Sequence, residues 1–580
     1  GHSALLANTT GTRNIAIGSS AYDDSDTEND NLAIGHVAMT TNTAGGEKNV
    51  AVGNYALDAL TSGDNNVAMG YNALTANTTG ADGVAIGYGA LKSNLTSNSS
   101  IGIGWEALGL LTNGNNNVAI GYASNRANLT GTDNVSVGGN SLQLNTASNN
   151  TAIGKSALTA NTTGDRNVAI GTTSLDANTT GAKNIAIGVN ALGANTTANH
   201  NVAVGHESLS ANTTGADNTG LGKGALGANT TAADNTAVGS LALEVNTTGT
   251  KNTAVGKGAL SSVVTSANNT AIGYNAMNLN VGANNTALGS FAMENNTTGT
   301  RNLAIGYAAY DASDTENDNI AIGYNAMTAN TAGGTLNTAV GNYSLDALTS
   351  GDSNTGVGYA ALGANTEGGS NTAVGKDAGF HVSTGGHNTF VGLAAGAAAN
   401  GVSTGSQNTM VGANTSPNAN NMVGGIVLGY NVAGQEDYHF TFGNGGTHRV
   451  YNAFNSNASW TRSSDERKKT NISDSTLGLD FINELRPVTF NWKDSRDTPK
   501  TFISYNADEN EMDTDITMHG MLAQDVKAAL DKAGVDTFGG WAEEKDGSQS
   551  ISQEMFVHPI IKAIQELSAE VKELKAKLKD

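Results

Sequence analysis

A serine and a lysine five residues apart, Ser464 and Lys469, stand where the composition of this chain changes abruptly. A serine hydroxyl is a poor nucleophile until a base takes its proton. One turn of helix between the two would let the lysine amine approach the hydroxyl, and the pair could then run acyl transfer. A lysine at its ordinary pKa of about 10.4 is neutral in roughly one molecule in 2,500 at pH 7. Burial, or the positive charges of Arg467 and Lys468, would raise that fraction. A reaction that occurs once per chain needs only modest acceleration. The same residues also read as a helix start, with Ser464 as N-cap and Asp465 and Glu466 in the first turn. The two roles are compatible.

The elements around the pair differ on its two sides. Downstream the order reads helix, strand, loop, helix, long helix. Leu479, Ile482 and Leu485 recur at helical spacing, and Val488–Trp492 follows Pro487 as an extended run. At the end Val557, Ile560, Ile564, Leu567, Val571, Leu574 and Leu578 alternate intervals of three and four, with Glu and Lys interleaved. That is an a/d seam. It predicts a parallel trimeric coiled coil over about 556–580, against a single amphipathic helix packed on its own domain.

Upstream the chain repeats itself. Asn-[Thr/Val/Ile]-Ala-[Ile/Val]-Gly, then Ala-Leu, then Ala-Asn-Thr-Thr-Gly recurs about every seventeen residues, its first glycine at Gly18, Gly35, Gly53, Gly70 and on to Gly392. Such a period is the mark of a solenoid. One coil cannot bury a core alone, so coils must stack. In Asn167–Gly171, strand alternation puts Val168 and Ile170 on one face. We expect that face inward, joined by Leu175 from a second strand, with Ala169 outward where another surface can approach. Asn178-Thr179-Thr180-Gly181 is turn chemistry. About two dozen coils at ~4.8 Å each would make a rod on the order of 115 Å long. Tyr22–Leu74 recurs as Tyr310–Leu362, so a block of coils has been duplicated. Gly1 is already in register, and further coils or another domain are expected before it. Between the repeats and Ser464, aromatic residues alternate over Asp437–Gly443 and His448–Phe454, as strands capping the last coil would, and Asn455–Trp460 reads as an extended lead. The divisions are a shaft over 1–430, a cap and linker over 431–463, and a C-terminal domain over 464–580.

Composition excludes several functions. Among 580 residues there are 74 Gly, 4 Pro and no Cys, so neither disulfides nor thiolate metal sites exist. A net charge of −22 argues against binding nucleic acid along the chain. No signal peptide is evident, and no run of about 18 apolar residues could span a membrane. Three shaft features have two readings each. The Asn-x-Thr triplets match a glycosylation acceptor, but turn chemistry explains them. The acidic loops at Asp23–Asp30 and Asp311–Asp318 could hold calcium or be solvated charge, the reading we prefer, so no metal or cofactor is expected. The Thr and Asn rows could bind ice or a glycan, or bond coil to coil as Asn ladders do.

Two resemblances sharpen this. Ser464, Asp465, Lys469, Asn471 and Ile472 resemble the cleavage motif Ser-Asp-x-x-Leu-Lys-x-Asn-Ile of intramolecular chaperone auto-processing domains, which end phage tail spikes and fibres. Lys468 stands where that family has Leu. His519–Val526 resembles the family's Gly-[Phe/Leu]-Ile-Ala-Gln-Asp-Val segment. The resemblance implies attack of Ser464 on the carbonyl of Ser463, hydrolysis, and release of 464–580, with His519 a candidate third participant or a buried structural histidine. The repeats resemble the head repeats of trimeric autotransporter adhesins, left-handed β-rolls packed in threes, although a monomeric triangular β-helix stays open. The expectation is therefore a mainly β protein. A long β-solenoid, trimeric, precedes a small α+β chaperone domain ending in a trimeric coiled coil. Its function would be a homotrimeric phage tail fibre on the virion, attaching to a host receptor, either a glycan or a surface protein. Nucleic acid and membrane insertion are not expected. A bacterial surface adhesin, or more remotely a polysaccharide-degrading spike, is the alternative. The sole enzymology would be intramolecular serine autoproteolysis.

Overall fold

The computed structural model describes residues 1–312, 314–397, 401–445, 448–453, 464–502, 504–505, 507–508 and 514–579. The chain divides into two compact units, Gly1–Arg462 and Ser463–Asp580.

The first unit is a β-solenoid. Each coil contributes one strand, from β1 (Ile15–Ile17) through β24 (Thr409–Val411), three residues apiece, to β25 (Ile426–Tyr430). All pair parallel and in register: Val168 faces Ile185, Ala169 faces Ala186, Ile170 faces Ile187. The strands carry the alternation the sequence predicts, but with the opposite sense. Ala169 is fully buried, as is the alanine at the centre of nearly every strand. Val168 and Ile170 lie on the outer face. The reason is space. A seventeen-residue coil encloses a thin interior, already filled by the Leu175 column, and only a methyl group fits opposite it.

The predicted second strand is also absent from the described coils. Leu175 is buried, yet it sits in a turn with φ 51°, between Thr173 at φ 54° and Lys183 at φ 58°. Such left-handed residues cost about 1–2 kcal/mol each. The cost is offset by coil-to-coil hydrogen bonds: Leu175 N donates to Ala191 O at 3.0 Å, Thr173 N to Lys155 O at 3.0 Å, and Lys183 N to Asp165 O at 2.9 Å. The turn glycine is obligatory. Gly171 has φ 134°, and a Cβ there would stand 2.4 Å from Gly188 O.

The asparagines form two internal ladders. Asn184 N donates to Asn167 Oδ1 at 2.9 Å, and Asn167 Nδ2 to Gly181 O at 2.8 Å. Asn178 Nδ2 donates to Asn161 Oδ1 at 2.9 Å. These side chains are fully buried, so the Asn178-Thr179-Thr180 triplet is engaged inside the stack and its asparagine is closed to a glycan or to ice. The acidic loops close inward too. Glu28 is buried and accepts from the backbone N–H of Asp26, Thr27 and Gly45, while Asp30 pairs with Arg13.

The core is interrupted once and adapted once. It runs as two apolar stretches, Ala21–Ala119 and Leu142–Val432. Between them Ser124, Asn125, Ser136 and Ser141 replace alanine and leucine, and neither polar atom of the buried Asn125 side chain has a partner among the described residues. Near the far end Phe390 takes the central position of its strand. Gly379 and Gly396 take the leucine positions beside it, and a Cβ on Gly396 would stand 2.2 Å from the Phe390 ring. Beyond β25, β26 (His439–Asn444) continues the parallel sheet, and β27 (His448–Ala453) turns back antiparallel upon it. Asn455–Trp460 lies outside the described residues.

The second unit is small and mixed: α1 (Leu479–Glu484), β28 (Val488–Phe490), β29 (Met518–Gly520), α2 (Ala523–Ala533), β30 (Trp541–Glu543), β31 (Gln549–Ile551) and α3 (Val557–Lys577). β28 pairs with β29, and β30 with β31, both antiparallel. The β30–β31 hairpin is not foreseen from the sequence. Leu477, Phe481, Val526, Ala529, Leu530 and Phe556 make the core. Gly478 caps α1 without a side chain, and Glu566 of α3 supplies the missing acceptor, taking the Leu479 N–H at 2.6 Å.

Candidate self-cleavage site

Ser464 is the first described residue of the second unit. Asp465 follows as the N-cap of a short 3-10 turn, Glu466–Lys468, accepting from Arg467 N at 2.9 Å. The N-cap is thus Asp465, not Ser464. That frees the serine hydroxyl, and the turn brings Lys469 back toward it. Lys469 Nζ donates to Ser464 Oγ at 2.7 Å. This is the contact across which a neutral amine would take the hydroxyl proton.

Ser464, Arg467, Lys468 and Lys469 are all exposed rather than buried. Arg467 turns its guanidinium onto Asp465, with Nη2 to Oδ2 at 2.6 Å. That pairing and the Arg467 N–H hold the Asp465 carboxyl below its ordinary range. His519 lies on β29, opposite Thr489. It is exposed rather than buried, and makes no hydrogen bond to Ser464 or Lys469 among the described residues. The dyad is brought together; the proposed third member is not joined to it. Ser463, whose carbonyl would be attacked, lies outside the described residues. No group of three or more potential metal ligands occurs among the described residues, and no helix is long and apolar enough to cross a membrane.

The a/d seam of α3 has a clear disposition. The residues that pack α3 on its own domain are Phe556, Pro559 and Ala563. Ile560, Ile564, Leu567 and Leu574 are between 45% and 61% exposed. The seam is not the face that closes the domain.

Residues 464–535 match the family model Peptidase S74, chaperone of endosialidase. The matched segment starts on the serine of the dyad and runs through α1, β28, β29 and α2. The chain therefore carries a chaperone domain of this kind at the end of a roughly 25-turn solenoid, the architecture of a tail fibre or spike. The chaperone domain's α3 lies beyond the matched segment. No curated protein matches the chain.

The sequence paired Ser464 with Lys469 by residue type, spacing and the motif they resemble, and the structure sets the two side chains in hydrogen-bond contact. Sequence reasoning missed Asp465 as the cap, although Asp before a Glu-Arg-Lys turn is a recognisable signal. It missed Glu566, which lies 87 residues from its partner and has no local signature.

Proposed function

We propose that this protein is a structural and adhesive homotrimeric fibre, a phage tail fibre for host attachment. Its chaperone domain directs assembly and then cleaves itself off between Ser463 and Ser464. The observation that carries the reading is the outer face of the solenoid. The third residue of every strand from β1 to β25 is Ile, Val, Leu or Met, and in a single chain these side chains are exposed or half-buried, Leu221 at 45% exposed for example. An unbroken aliphatic stripe of this length marks an interface. A partner of the same periodicity covers it best, because each rung then meets a rung.

That periodicity creates a problem the chaperone domain solves. Sliding one chain by a whole coil replaces every contact with a near-identical one, so register is weakly specified. The exposed seam of α3 is short and does not repeat in this way. Joined first at that seam, the chains enter the shaft already aligned. Cleavage afterwards removes the route back and leaves the fibre kinetically trapped. Threefold order rests on the resemblance of shaft and tail to trimeric families. The seam, with β-branched residues at Val557, Ile564 and Val571 and leucines at Leu567 and Leu574, also suits two strands, so molar mass decides the number.

The test is mass spectrometry and light scattering on purified wild type, Ser464→Ala and Lys469→Met. Wild type should yield two fragments ending and beginning at 463 and 464, with the shaft fragment at three times its chain mass. Both variants should stay full length. Wild type remaining intact would overturn self-cleavage, and a shaft at single-chain mass would overturn the trimer.

A further inference from the structure

One column of the solenoid is unlike the rest. It is the residue directly after each turn glycine, running from His2 to Tyr430. Toward one end it stacks Tyr71, Tyr88, Trp105 and Tyr122, with ring centroids 4.7–6.3 Å apart and planes within 9° of parallel. His36 of the column, and Tyr55 from the next position along its coil, extend this ladder edge-on. A second ladder runs from Tyr274 through Phe291, Tyr307, Tyr324 and Tyr343 to Tyr359; Phe291 and Tyr343 come from the next position along their coils, and only Tyr307 and Tyr324 stack, the other pairs meeting edge to face. The column's own rings are well exposed, Tyr122 by 57% and Tyr307 by 48%, while Tyr55, Phe291 and Tyr343 are half-buried. In the first ladder the stacked rings cover one another's faces, so what they show to solvent is edges and phenol hydroxyls. Ring edges are the positive part of the aromatic quadrupole.

The column itself carries charge of one sign, while the next position along the coil holds Glu106, Glu207 and Asp377. Lys155, Lys223 and Lys257 lie between the ladders and Lys376 follows the second. No Asp or Glu occupies the column in any coil, although the chain has 51 acidic residues and 29 basic ones. Cations also sit over rings of both ladders: Arg126, which pairs with Glu106, at 5.9 Å from the Trp105 centroid, Lys257 at 5.9 Å from Tyr274, and Lys376, which pairs with Asp377, at 5.8 Å from Tyr359. The lysines separate this column from the aliphatic stripe, which contains no charge in any strand.

We propose that the column is a track for an extended anionic polysaccharide, its carboxylates meeting the lysines and ring edges and its sugar rings following the ladders. A linear polymer of rings fits a surface repeating at ~4.8 Å per rung, which is close to one sugar per coil. Rows of phenol hydroxyls suit a hydroxyl-rich chain. Single-stranded nucleic acid, the other anionic polymer with rings, binds by stacking bases on ring faces, and in the first ladder those faces are already covered by neighbours. Nine coils separate Tyr122 from Tyr274, about 43 Å at ~4.8 Å per rung. One long glycan could therefore engage both ladders, and the second engagement would be intramolecular. The proposal names a ligand for the fibre described above and rests on that reading for its purpose; its geometry belongs to one chain.

The test uses the full chain against immobilised hyaluronan and alginate fragments, with dextran of equal length as neutral control. Two triple variants are compared, Tyr88→Ser/Trp105→Ser/Tyr122→Ser and Lys155→Gln/Lys223→Gln/Lys257→Gln, their fold checked by circular dichroism and their molar mass by light scattering. At least one anionic glycan should bind about ten-fold or more tighter than dextran, and each variant should weaken it by about ten-fold. The lysine variant should also flatten the salt dependence. Neither anionic glycan exceeding dextran, or both variants binding as wild type does, would overturn the track. So would a changed molar mass in the aromatic variant, which would make the column a contact between copies. Failure of self-cleavage or trimerisation would appear in the masses alone and leave the binding readout intact.

Discussion

The shaft and the chaperone domain solve opposite problems with the same kinds of residue. In the shaft every coil makes the same contacts with the next, through buried asparagines and main-chain hydrogen bonds, and its surplus of aliphatic side chains lies outside in a periodic row. In the chaperone domain no contact is repeated. Phe481, Phe538 and Phe556 meet at 5.2–6.4 Å, Glu566 caps one particular helix, and the aliphatic surplus lies along a single helix. Repetition gives length and resistance but no unique alignment. A small non-repeating unit gives alignment but little strength. A chain that needs both has reason to carry both.

Charging the seam should have the largest effect and separate the two roles most sharply. Ile564 and Leu567 are exposed at 61% and 49%, so Ile564→Asp with Leu567→Asp should leave the chaperone domain folded while removing uniform assembly. Light scattering should show a spread of masses or single chains in place of one species. A wild-type mass distribution would mean that the shaft aligns itself.

Glycine substitutions compare the regions directly. Gly188 has φ 136°, and a Cβ there would stand 2.4 Å from Gly205 O, with backbone on all sides. Gly188→Ala should cost about 3 kcal/mol or more, since neither strain nor clash can relax in a closed stack. Gly534, which ends α2 at φ 66°, has nothing within 4 Å of the same position, and Gly534→Ala should cost only about 1 kcal/mol. Denaturant midpoints of the two variants would reverse this order if the stack were looser than its hydrogen bonds imply.

A stabilising change tests the interior. Asn125 occupies a leucine position, at φ 48° against 52° for Leu108 and 51° for Leu142, and its amide has no partner among the described residues. Asn125→Leu should join the two core stretches and stabilise the shaft by about 2 kcal/mol. An unchanged or lower midpoint would show that the serines around it had already been meeting that amide's needs.

Much of this is legible in the sequence. The seventeen-residue period announces a solenoid, and the Ser464–Lys469 spacing announces the dyad. The sense of the strand was not legible, because Val-Ala-Ile alternates equally well either way. Only the width of the closed coil decides that Ala169 goes in and Ile170 out. The second strand was misread because leucine normally avoids positive φ, and nothing local reveals that coil-to-coil hydrogen bonds compensate. The aromatic ladders were present in the sequence all along. Tyr71, Tyr88, Trp105 and Tyr122 are seventeen residues apart, but single exposed aromatics carry no message until stacking aligns them.

Acidity should produce the smallest effect, with opposite sign in the two units. Burial, and then the charge of Glu294, push the Asp311 carboxyl up to about 6. Burial also raises Asp58, Asp176 and Asp346. A carboxyl that titrates higher folded than unfolded burdens the fold when charged, so the shaft should gain stability as pH falls from above 6 toward the ordinary carboxylate value near 4. Asp494 of the chaperone domain is held down to about 2 by Arg496. Its contribution is present above about 4 and is lost as pH falls from there toward 2. The paired Asp30 and Asp318 of the shaft are likewise lowered, so they titrate below the window in which the shaft gains. Thermal melts should therefore show the β-signal midpoint rising from pH 7 to pH 4.5, and Asp311→Asn should raise it at pH 7 and reduce the slope. A midpoint falling steadily through that window would mean that these half-buried carboxylates are hydrated in solution, and that the stack is more open to water than its closed asparagine ladders imply.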